Sequence, residues 1–363
     1  MIWIEWALII GTAILSWLLG FGTQFLAKKT GAIDQPSGGR KIHERATPLL
    51  GGVGIVLALM GALIVAYQQG WLIDKGIQPV QLVGFMGALA LLLVVGCLDD
   101  YFDLPSWVRL SSYTFAALII IFTGTTIVQV TRWVGLGGFS LAWHTWDLPA
   151  WSIYKSSLIF PADLLTLVWL LAVTFATKFL DGLDGLVTGQ TVIAASLIAG
   201  LAFTHAYFQP AMALFALILV AAYLGFLPHN LHPAKQFLGE SGSVVAGFAL
   251  GFLAIVSGAK TATALMALGL PLADATFVIL GRLARGASPF RGDDTHLHFK
   301  LLKAGMSQRF VVLSLWSIAL LFGLAAFGVQ TRGKVLLLIG LVGLTILLSI
   351  FAGAMKRSRI EKI

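Results

Sequence analysis

Long runs of apolar residues, separated by short polar segments, extend along almost the whole chain of 363 residues. A helix needs about 20 mostly apolar residues to cross the hydrocarbon core of a bilayer, and many of the runs are close to that length. They predict membrane-spanning helices near residues 3–26, 48–67, 80–97, 107–123, 163–180, 186–204, 210–227, 243–257, 262–281, 310–329 and 334–354. Because the run at 107–123 is short, we expect ten or eleven spans in an all-α polytopic membrane protein, with one integral-membrane domain over residues 1–363.

The composition supports a membrane location. Hydrophobic residues make up 58% of the chain and charged residues 11%, whereas about a quarter of a soluble domain is charged. The single cysteine, Cys97, excludes an internal disulfide. No basic residue precedes the first apolar run, whereas Lys28 and Lys29 follow it, and a cleaved signal peptide has the opposite order. We therefore predict an uncleaved first span with its N-terminus outside.

The distribution of lysine and arginine predicts the orientation. With the N-terminus outside, 18 of these 24 residues fall in segments assigned to the inside, which is the bias of cytoplasmic loops. The C-terminus is then cytoplasmic, and the net charge of +8 is explained without a nucleic-acid partner. The large external segment 124–161 predicts short strands or an interfacial hairpin, and its tryptophans favour anchoring in the headgroup layer over catalysis. They are Trp133, Trp143, Trp146 and Trp151.

More than half of the sixteen acidic residues lie at span ends or in loops assigned to the inside, and eight of them bear on a candidate site. They are Asp99, Asp100, Asp103, Asp181, Asp184, Glu240, Asp293 and Asp294. A carboxylate near the bilayer centre costs about 2.5–3.5 kcal/mol, so such groups are kept where they have partners or a role. Acidic groups on one face, beside histidine and arginine, predict a site for a cation and a phosphate.

Two of the acidic clusters have close spacing. Asp100 and Asp103 share a face if the helix before them continues, and with Asp99 they could hold a divalent ion or position a phosphate; a solvated helix end is the alternative. Asp181 and Asp184 stand in an Asp-Gly-Leu-Asp-Gly string whose glycines permit tight turns and close approach of a ligand. A plain connecting loop would not need both carboxylates, so the string favours function.

Three further segments carry polar groups to the same face. Glu240 lies in a small-residue turn, 237–243, where free backbone N–H groups could receive a phosphate; an ordinary helix cap is the alternative. The loop 282–309 contains Arg291, His296 and His298, which suit a diphosphate, or form a basic loop on anionic headgroups. Zinc is disfavoured because the lone cysteine lies elsewhere. The first inside loop contributes Lys41 and His43, or acts only in orientation.

The order of these motifs resembles the polyprenyl-phosphate N-acetylhexosamine-1-phosphate transferase superfamily. This group includes the enzymes that initiate enterobacterial common antigen, O-antigen and wall teichoic acid, and the phospho-muramoyl-pentapeptide translocase. The resemblance extends from Asp34 to about Phe310. The matching residues are Arg40, Lys41, His43, Pro48, Gly51 and Gly52; Asp99, Asp100, Asp103 and Arg109; Asp181 to Leu186; Pro271, Leu272 and Asp274; and His296 and His298.

The chain departs from the family pattern at the residues associated with magnesium. Two asparagines usually precede the Asp-Gly string, and here those positions are Phe175 and Lys178; Glu240 stands where the family has aspartate. A protonated lysine cannot ligate a metal. Either Lys178 pairs with Glu240 or with the donor diphosphate, or Glu240 still binds Mg²⁺ with help from Asp99 or Asp181. Phe299 replaces a third histidine, which favours the antigen- and teichoic-acid-initiating branch.

The resemblance implies transfer of an N-acetylhexosamine-1-phosphate, we expect GlcNAc-1-phosphate, from a UDP-sugar to undecaprenyl or another polyprenyl phosphate, with release of UMP. The setting would be the bacterial inner membrane, with the site on the cytoplasmic face, Mg²⁺ as cofactor and a homodimer as a further expectation. The resemblance implies roles for the site residues. Asp99, Asp100 and Asp103 would position or deprotonate the lipid phosphate with Arg109; Asp184 would hold uracil; Glu240 and Asp181 would organise the metal, or Lys178 in its place; Lys41, His43, Arg291, His296 and His298 would bind the remaining phosphate and sugar groups.

Three alternatives stay open at this point. A phospho-MurNAc-pentapeptide transferase would share the motifs. A transporter would place ionisable groups near the bilayer midplane in repeated halves, which this sequence lacks. A catalytically inactive relative that only binds lipid phosphate is suggested by Phe175 and Lys178. Asp274 lies about two turns above the inside end of its span, and pairing within the bundle is favoured over catalysis there.

Overall fold

The computed structural model describes residues 3–36, 45–72, 77–131, 138–147, 157–204, 208–258, 261–287 and 294–360. Twelve helices and six short strands lie in these ranges. The helices are α1 (Trp3–Thr30), α2 (Gly51–Gln68), α3 (Pro79–Phe102), α4 (Ser106–Phe122), α5 (Ala162–Leu180), α6 (Leu186–Phe203), α7 (Pro210–Asn230), α8 (Gly239–Val256), α9 (Thr261–Leu283), α10 (Leu297–Lys303), α11 (Gln308–Ala325) and α12 (Thr331–Ile360). The strands are β1 (Ile33–Asp34), β2 (Thr47–Pro48), β3 (Gln129–Thr131), β4 (Gly138–Ser140), β5 (Ala142–Asp147) and β6 (Ser157–Pro161).

Ten of the described helices are long and apolar enough to cross a membrane, and α4 is a shorter apolar helix. The predicted all-α polytopic fold is therefore confirmed. The first span, α1, leaves most of its apolar side chains exposed, including Trp6 and Phe21, and the last span, α12, leaves many exposed, including Leu347. A helix with such a surface is stable where lipid, not water, surrounds it. The direction of the N-terminus stays a prediction.

The centre of the bundle is built on α7 and α8, whose side chains are mostly buried. Phe85 of α3 stacks on Phe252 of α8 with ring centroids 4.4 Å apart, and meets Phe215 of α7 edge-on at 5.2 Å. Offset and edge-to-face pairs of this kind add to the energy of apolar burial. These rings fix α3, α7 and α8 relative to one another.

Small residues let further helices approach α8 closely. A Cβ at Gly96 of α3 would lie 2.5 Å from the Cα of Ser241, and a Cβ at Gly247 of α8 would overlap Thr177 of α5. Close backbone approach at small residues is a common packing mode between membrane helices. As a result, the ends of α3 and α5 lie beside the first turn of α8.

Two predicted boundaries differ from the structure at this junction. The span predicted to end at residue 97 continues to Phe102, and the span predicted to start at residue 243 starts at Gly239. The apolar pattern stops early because both helix ends carry polar residues. These polar residues satisfy one another instead of water, since the Glu240 N–H donates to Asp100.

The six strands form three two-stranded antiparallel sheets. The pairs β3–β4 and β5–β6 lie in the segment for which strands were predicted, and Trp143 and Trp146 are exposed there. Trp133 and Trp151 lie outside the described residues. The pair β1–β2 is tied to the start of α8, because the Phe237 N–H donates to the Pro48 carbonyl at 2.9 Å.

Candidate active site

The junction of α3 and α8 holds Asp100. Its Oδ1 accepts the Glu240 N–H at 2.8 Å, and so satisfies one of the free N–H groups of the first turn of α8. Its Oδ2 is buried and has no hydrogen-bond partner in the described structure. Gly239 has a φ of 75°, and a Cβ at this position would overlap that same Oδ2. The carboxylate is thus held by backbone, with one oxygen left without a hydrogen-bond partner.

Replacing Gly239 with alanine should lower activity by about tenfold or more, since the methyl group would displace the Asp100 carboxylate. Gly258 offers a matched control: its φ is 64°, but nothing lies within 4 Å of a Cβ there. Both alanines carry the strain of a left-handed backbone, of roughly 1–2 kcal/mol. The rate of the transfer implied by the motifs and the thermal stability should be measured for both variants. Equal loss of rate in the two would contradict a steric effect on Asp100.

Asp99 is held by Arg109 of α4. The guanidinium Nη1 lies 3.2 Å from Oδ1 and 3.3 Å from Oδ2 of Asp99, and the Leu104 N–H donates to Oδ1 at 2.9 Å. The contact of Arg109 with Asp103 is longer, at 3.5 Å, and the Asp103 side chain is 97% exposed. Asp99 and Arg109 therefore form the ordered pair, and Asp103 lies at its edge.

Lys178, at the end of α5, reaches Glu240 and Tyr113. Its Nζ forms an ion pair with Glu240 Oε1 and donates to the Tyr113 hydroxyl at 3.0 Å. Tyr113 in turn donates to the same Glu240 oxygen. Lys178 and Glu240 retain 18% and 13% of their side-chain exposure. The cluster is enclosed but still open to a ligand.

The loop between α5 and α6 carries the Asp-Gly-Leu-Asp-Gly string. Asp184 Oδ2 lies 2.7 Å from His232 Nδ1 and accepts the Ala234 N–H at 3.1 Å. Asp181 lies within electrostatic range of Glu240 and Lys178. The string thus connects the Lys178 cluster to the segment between α7 and α8.

His296 and His298 stand on the other side of that string. His296 Nδ1 lies 2.8 Å from Asp274 Oδ2, and Asp274 also accepts the Leu297 N–H at 2.9 Å, which is the pairing within the bundle expected for Asp274. His298 is buried, with its Nε2 2.5 Å from where a Cβ on Gly182 would stand. Burial lowers the pKa of His298 to about 3, so this imidazole is neutral near pH 7.

Comparison with known proteins agrees with the motifs. The profile of Glycosyl transferase family 4 matches residues 82–258. The decaprenyl-phosphate N-acetylglucosaminephosphotransferase of Mycobacterium tuberculosis is 30% identical over 347 residues, covering 87% of this chain and 79% of the relative. The chain belongs to glycosyl transferase family 4.

Two other relatives show the range of this family. A Bacillus subtilis protein named "Probable undecaprenyl-phosphate N-acetylglucosaminyl 1-phosphate transferase" is 29% identical, over 83% of this chain and 78% of the relative. The phospho-N-acetylmuramoyl-pentapeptide-transferase of Halalkalibacterium halodurans is 31% identical, over 79% of this chain and 85% of the relative. The resemblance seen in the motifs is confirmed, and these family 4 members are phosphotransferases, which favours an enzyme over a transporter.

Most of the site residues predicted for a family 4 enzyme are brought together by the described contacts. A chain of neighbours runs from Asp100 through Glu240 and Lys178 to the Asp181–Gly185 loop, and from Gly182 to the histidines. Lys41, His43 and Arg291 lie outside the described residues, so their roles stay predictions. Sequence reasoning missed two residues that touch the site, Tyr113 and His232. Tyr113 lies four residues after Arg109, so the two side chains share a face of α4. This spacing could have predicted Tyr113 as a residue of the site.

Family 4 enzymes depend on metal ions in general, so the fit of the side chains to magnesium matters. Across the described ranges, no three His, Cys, Asp or Glu side chains lie close enough to hold a metal ion. Glu240, with Asp181, was the metal ligand in one of the two arrangements expected from the sequence, and its Oε1 is engaged by the Lys178 ammonium. An ammonium has no free lone pair and repels a divalent cation. In this arrangement the side chains do not fit a magnesium ion at Glu240.

Proposed function

We propose that the chain transfers N-acetylglucosamine-1-phosphate from UDP-N-acetylglucosamine to a polyprenyl phosphate such as undecaprenyl phosphate, and releases UMP. The names of the relatives from Mycobacterium and Bacillus support the polyprenyl-phosphate acceptor and the transferred N-acetylglucosamine phosphate group. The UDP carrier follows from the resemblance of the motifs. The observation that carries the proposal is the convergence of Asp100, Lys178, Asp184 and His296 at one end of the helix bundle through a series of contacts. Such a product would start a cell-envelope glycan.

In the proposed reaction an oxygen of the lipid phosphate attacks the sugar-side phosphorus of the donor. A new phosphorus–oxygen bond forms, and the bond to the bridging oxygen breaks, so that UMP leaves with that oxygen. A phosphate monoester is largely ionised near neutral pH, so positioning and charge neutralisation matter more than a strong base. The reaction therefore needs anchors for the acceptor and for the donor.

The contacts suggest which residues bind each substrate. Asp99 and Asp100 position the lipid phosphate, and Arg109, ordered by Asp99, attracts it. Asp184, ordered by His232, holds the uridine end of the donor. His296, fixed by Asp274, binds the diphosphate. The buried His298 supports the backbone at Gly182, which favours positioning of the loop over direct contact with the sugar.

No step of the proposed mechanism passes through Mg²⁺, because Glu240 is engaged by Lys178.

The proposal places the protein in the bacterial cytoplasmic membrane with this site on the cytoplasmic face. The reason is that 18 of the 24 basic residues lie in the segments assigned to that side. Cysteine-accessibility labelling of Arg309→Cys and Asp147→Cys, at opposite ends of the spans, would test the orientation.

A phospho-MurNAc-pentapeptide donor is the second candidate, because the relative from Halalkalibacterium halodurans is 31% identical. The purified protein should therefore be incubated with undecaprenyl phosphate and either donor, and the lipid products identified by mass spectrometry. We expect GlcNAc-diphosphoryl lipid and UMP from UDP-N-acetylglucosamine, and no product from UDP-MurNAc-pentapeptide. The reverse result would select the second candidate, and no lipid product from either donor would exclude both.

A further inference from the structure

Lys178 occupies a central position among the carboxylates of the site. It forms an ion pair with Glu240, and it acts electrostatically on both Asp99 and Asp181. Carboxylates gathered around one point repel each other and a phosphate ligand, so a cation is needed there. Lys178 supplies a positive charge at this point from the chain itself.

The ammonium is held in a defined place. Of its three N–H groups, one contacts Glu240 and one contacts the hydroxyl of Tyr113. Its Nζ also lies 5.5 Å from the centre of the Tyr113 ring, within the range of a cation–π contact. Within the described part of the chain these contacts account for two donors, which leaves the third for a ligand. The remaining exposure of Lys178, 18%, gives that ligand access.

Phe175 takes part in the same arrangement. It lies three residues before Lys178 on the same face of α5, and its ring packs edge-on against Tyr113 with centroids 5.3 Å apart. Phe175 thereby fixes the ring whose hydroxyl bonds to Lys178 and Glu240. Phe175 and Lys178, the two positions at which α5 departs from the family pattern, thus form one packed cluster. A site that had lost its function would instead be expected to carry unrelated substitutions.

We propose that Lys178, held by Glu240 and Tyr113, is a built-in cation that binds the donor diphosphate, so that transfer needs no divalent metal ion. The inference rests on the proposed transfer reaction. Preorganised cations that neutralise a transferring phosphoryl group contribute to catalysis in the same way whether lysine, arginine or a metal ion supplies them. Arg109, within electrostatic range of Glu240, adds a second fixed charge.

The first test is transfer by the purified protein from UDP-N-acetylglucosamine to undecaprenyl phosphate, measured as UMP release with Mg²⁺ and with excess EDTA. We expect rates that agree within about twofold, because the cation is part of the chain. A rate that is present with Mg²⁺ and lost in EDTA would overturn the inference and leave the proposed function standing. Absence of transfer in both conditions would overturn the proposed function, and the inference with it.

Variants of Lys178 give the second test. Lys178→Met removes the charge at similar length and should lower the rate about 100-fold, whereas Lys178→Arg keeps the charge and should retain at least about tenfold more activity than Lys178→Met. Addition of Mg²⁺ should restore neither. Equal activity in Lys178→Met and the wild type would show that the ammonium does not serve the reaction.

A binding measurement separates the metal question from catalysis. The double variant Lys178→Asn/Glu240→Asp restores the residues usual in the family. We expect it to bind Mn²⁺ at least about tenfold more tightly than the wild-type protein, as detected by electron paramagnetic resonance, because an ammonium no longer repels the ion. Tight Mn²⁺ binding by the wild type, unchanged in the double variant, would contradict the inference. Thermal melting of each variant checks that the bundle is intact.

Discussion

Replacing Asp100 with asparagine should lower the rate of transfer by about 1000-fold while the protein still inserts into the membrane. An asparagine Oδ1 can keep the hydrogen bond from the Glu240 N–H, so the junction of α3 and α8 should survive. The carboxyl group with the unpartnered Oδ2, which we propose positions the lipid phosphate, would be lost. The rate should be measured in purified protein at matched amounts, together with its thermal stability.

Asp147→Asn is the matched control, since it makes the same chemical change on the exposed strand β5. It should leave transfer unaffected. Wild-type turnover in Asp100→Asn would remove Asp100 from the acceptor site. A loss of rate with a large fall in melting temperature would instead indicate that the carboxylate supports folding.

Replacing His296 with alanine should also lower the rate of transfer, by about 100- to 1000-fold. Its Nδ1 is held by Asp274 at 2.8 Å, and its ring lies 5.5 Å from that of Phe179, so the imidazole has a fixed direction. Alanine removes the group that we propose binds the diphosphate. Initial rates over a range of donor concentrations would show whether the loss lies in KM or in kcat.

The alanine variant also leaves the buried Asp274 carboxylate without its imidazole partner, which costs stability. His296→Gln, which keeps an N–H donor, is therefore the second variant, and His144→Ala on the exposed strand β5 is the control. We expect His296→Gln to fold and still lose most of its activity. Full activity in a folded His296→Gln protein would contradict a role for His296 at the diphosphate.

The spans could be predicted from the sequence because lipid-exposed helices must be apolar along their whole length. The C-terminal end of α3 and the N-terminal end of α8 could not be predicted, because the apolar pattern ends where the polar residues begin. Only the contact between Asp100 and Glu240 shows how these polar helix ends are stabilised. The sequence predicted that segment 124–161 forms short strands. It did not predict which strands pair, such as β5 with β6, because composition does not define the register.

The site could be predicted in part. The residue types and their location at one end of the spans followed from the positions of the carboxylates and histidines. The partners did not follow, because they depend on how helices distant in the sequence face each other. The sequence left open whether Lys178 pairs with Glu240, and the structure shows that ion pair. Tyr113 was missed because it lies inside an apolar run, where a tyrosine is an ordinary packing residue.

The close approach of α5 and α8 at Gly247 has an evolutionary consequence. Because a side chain there would meet Thr177, one residue from Lys178, any larger residue would push apart the two helices that carry Lys178 and Glu240. Natural variation at position 247 should therefore be restricted in descendants that keep lysine and glutamate at the other two positions. Lineages that lose the charged pair would be released from that restriction.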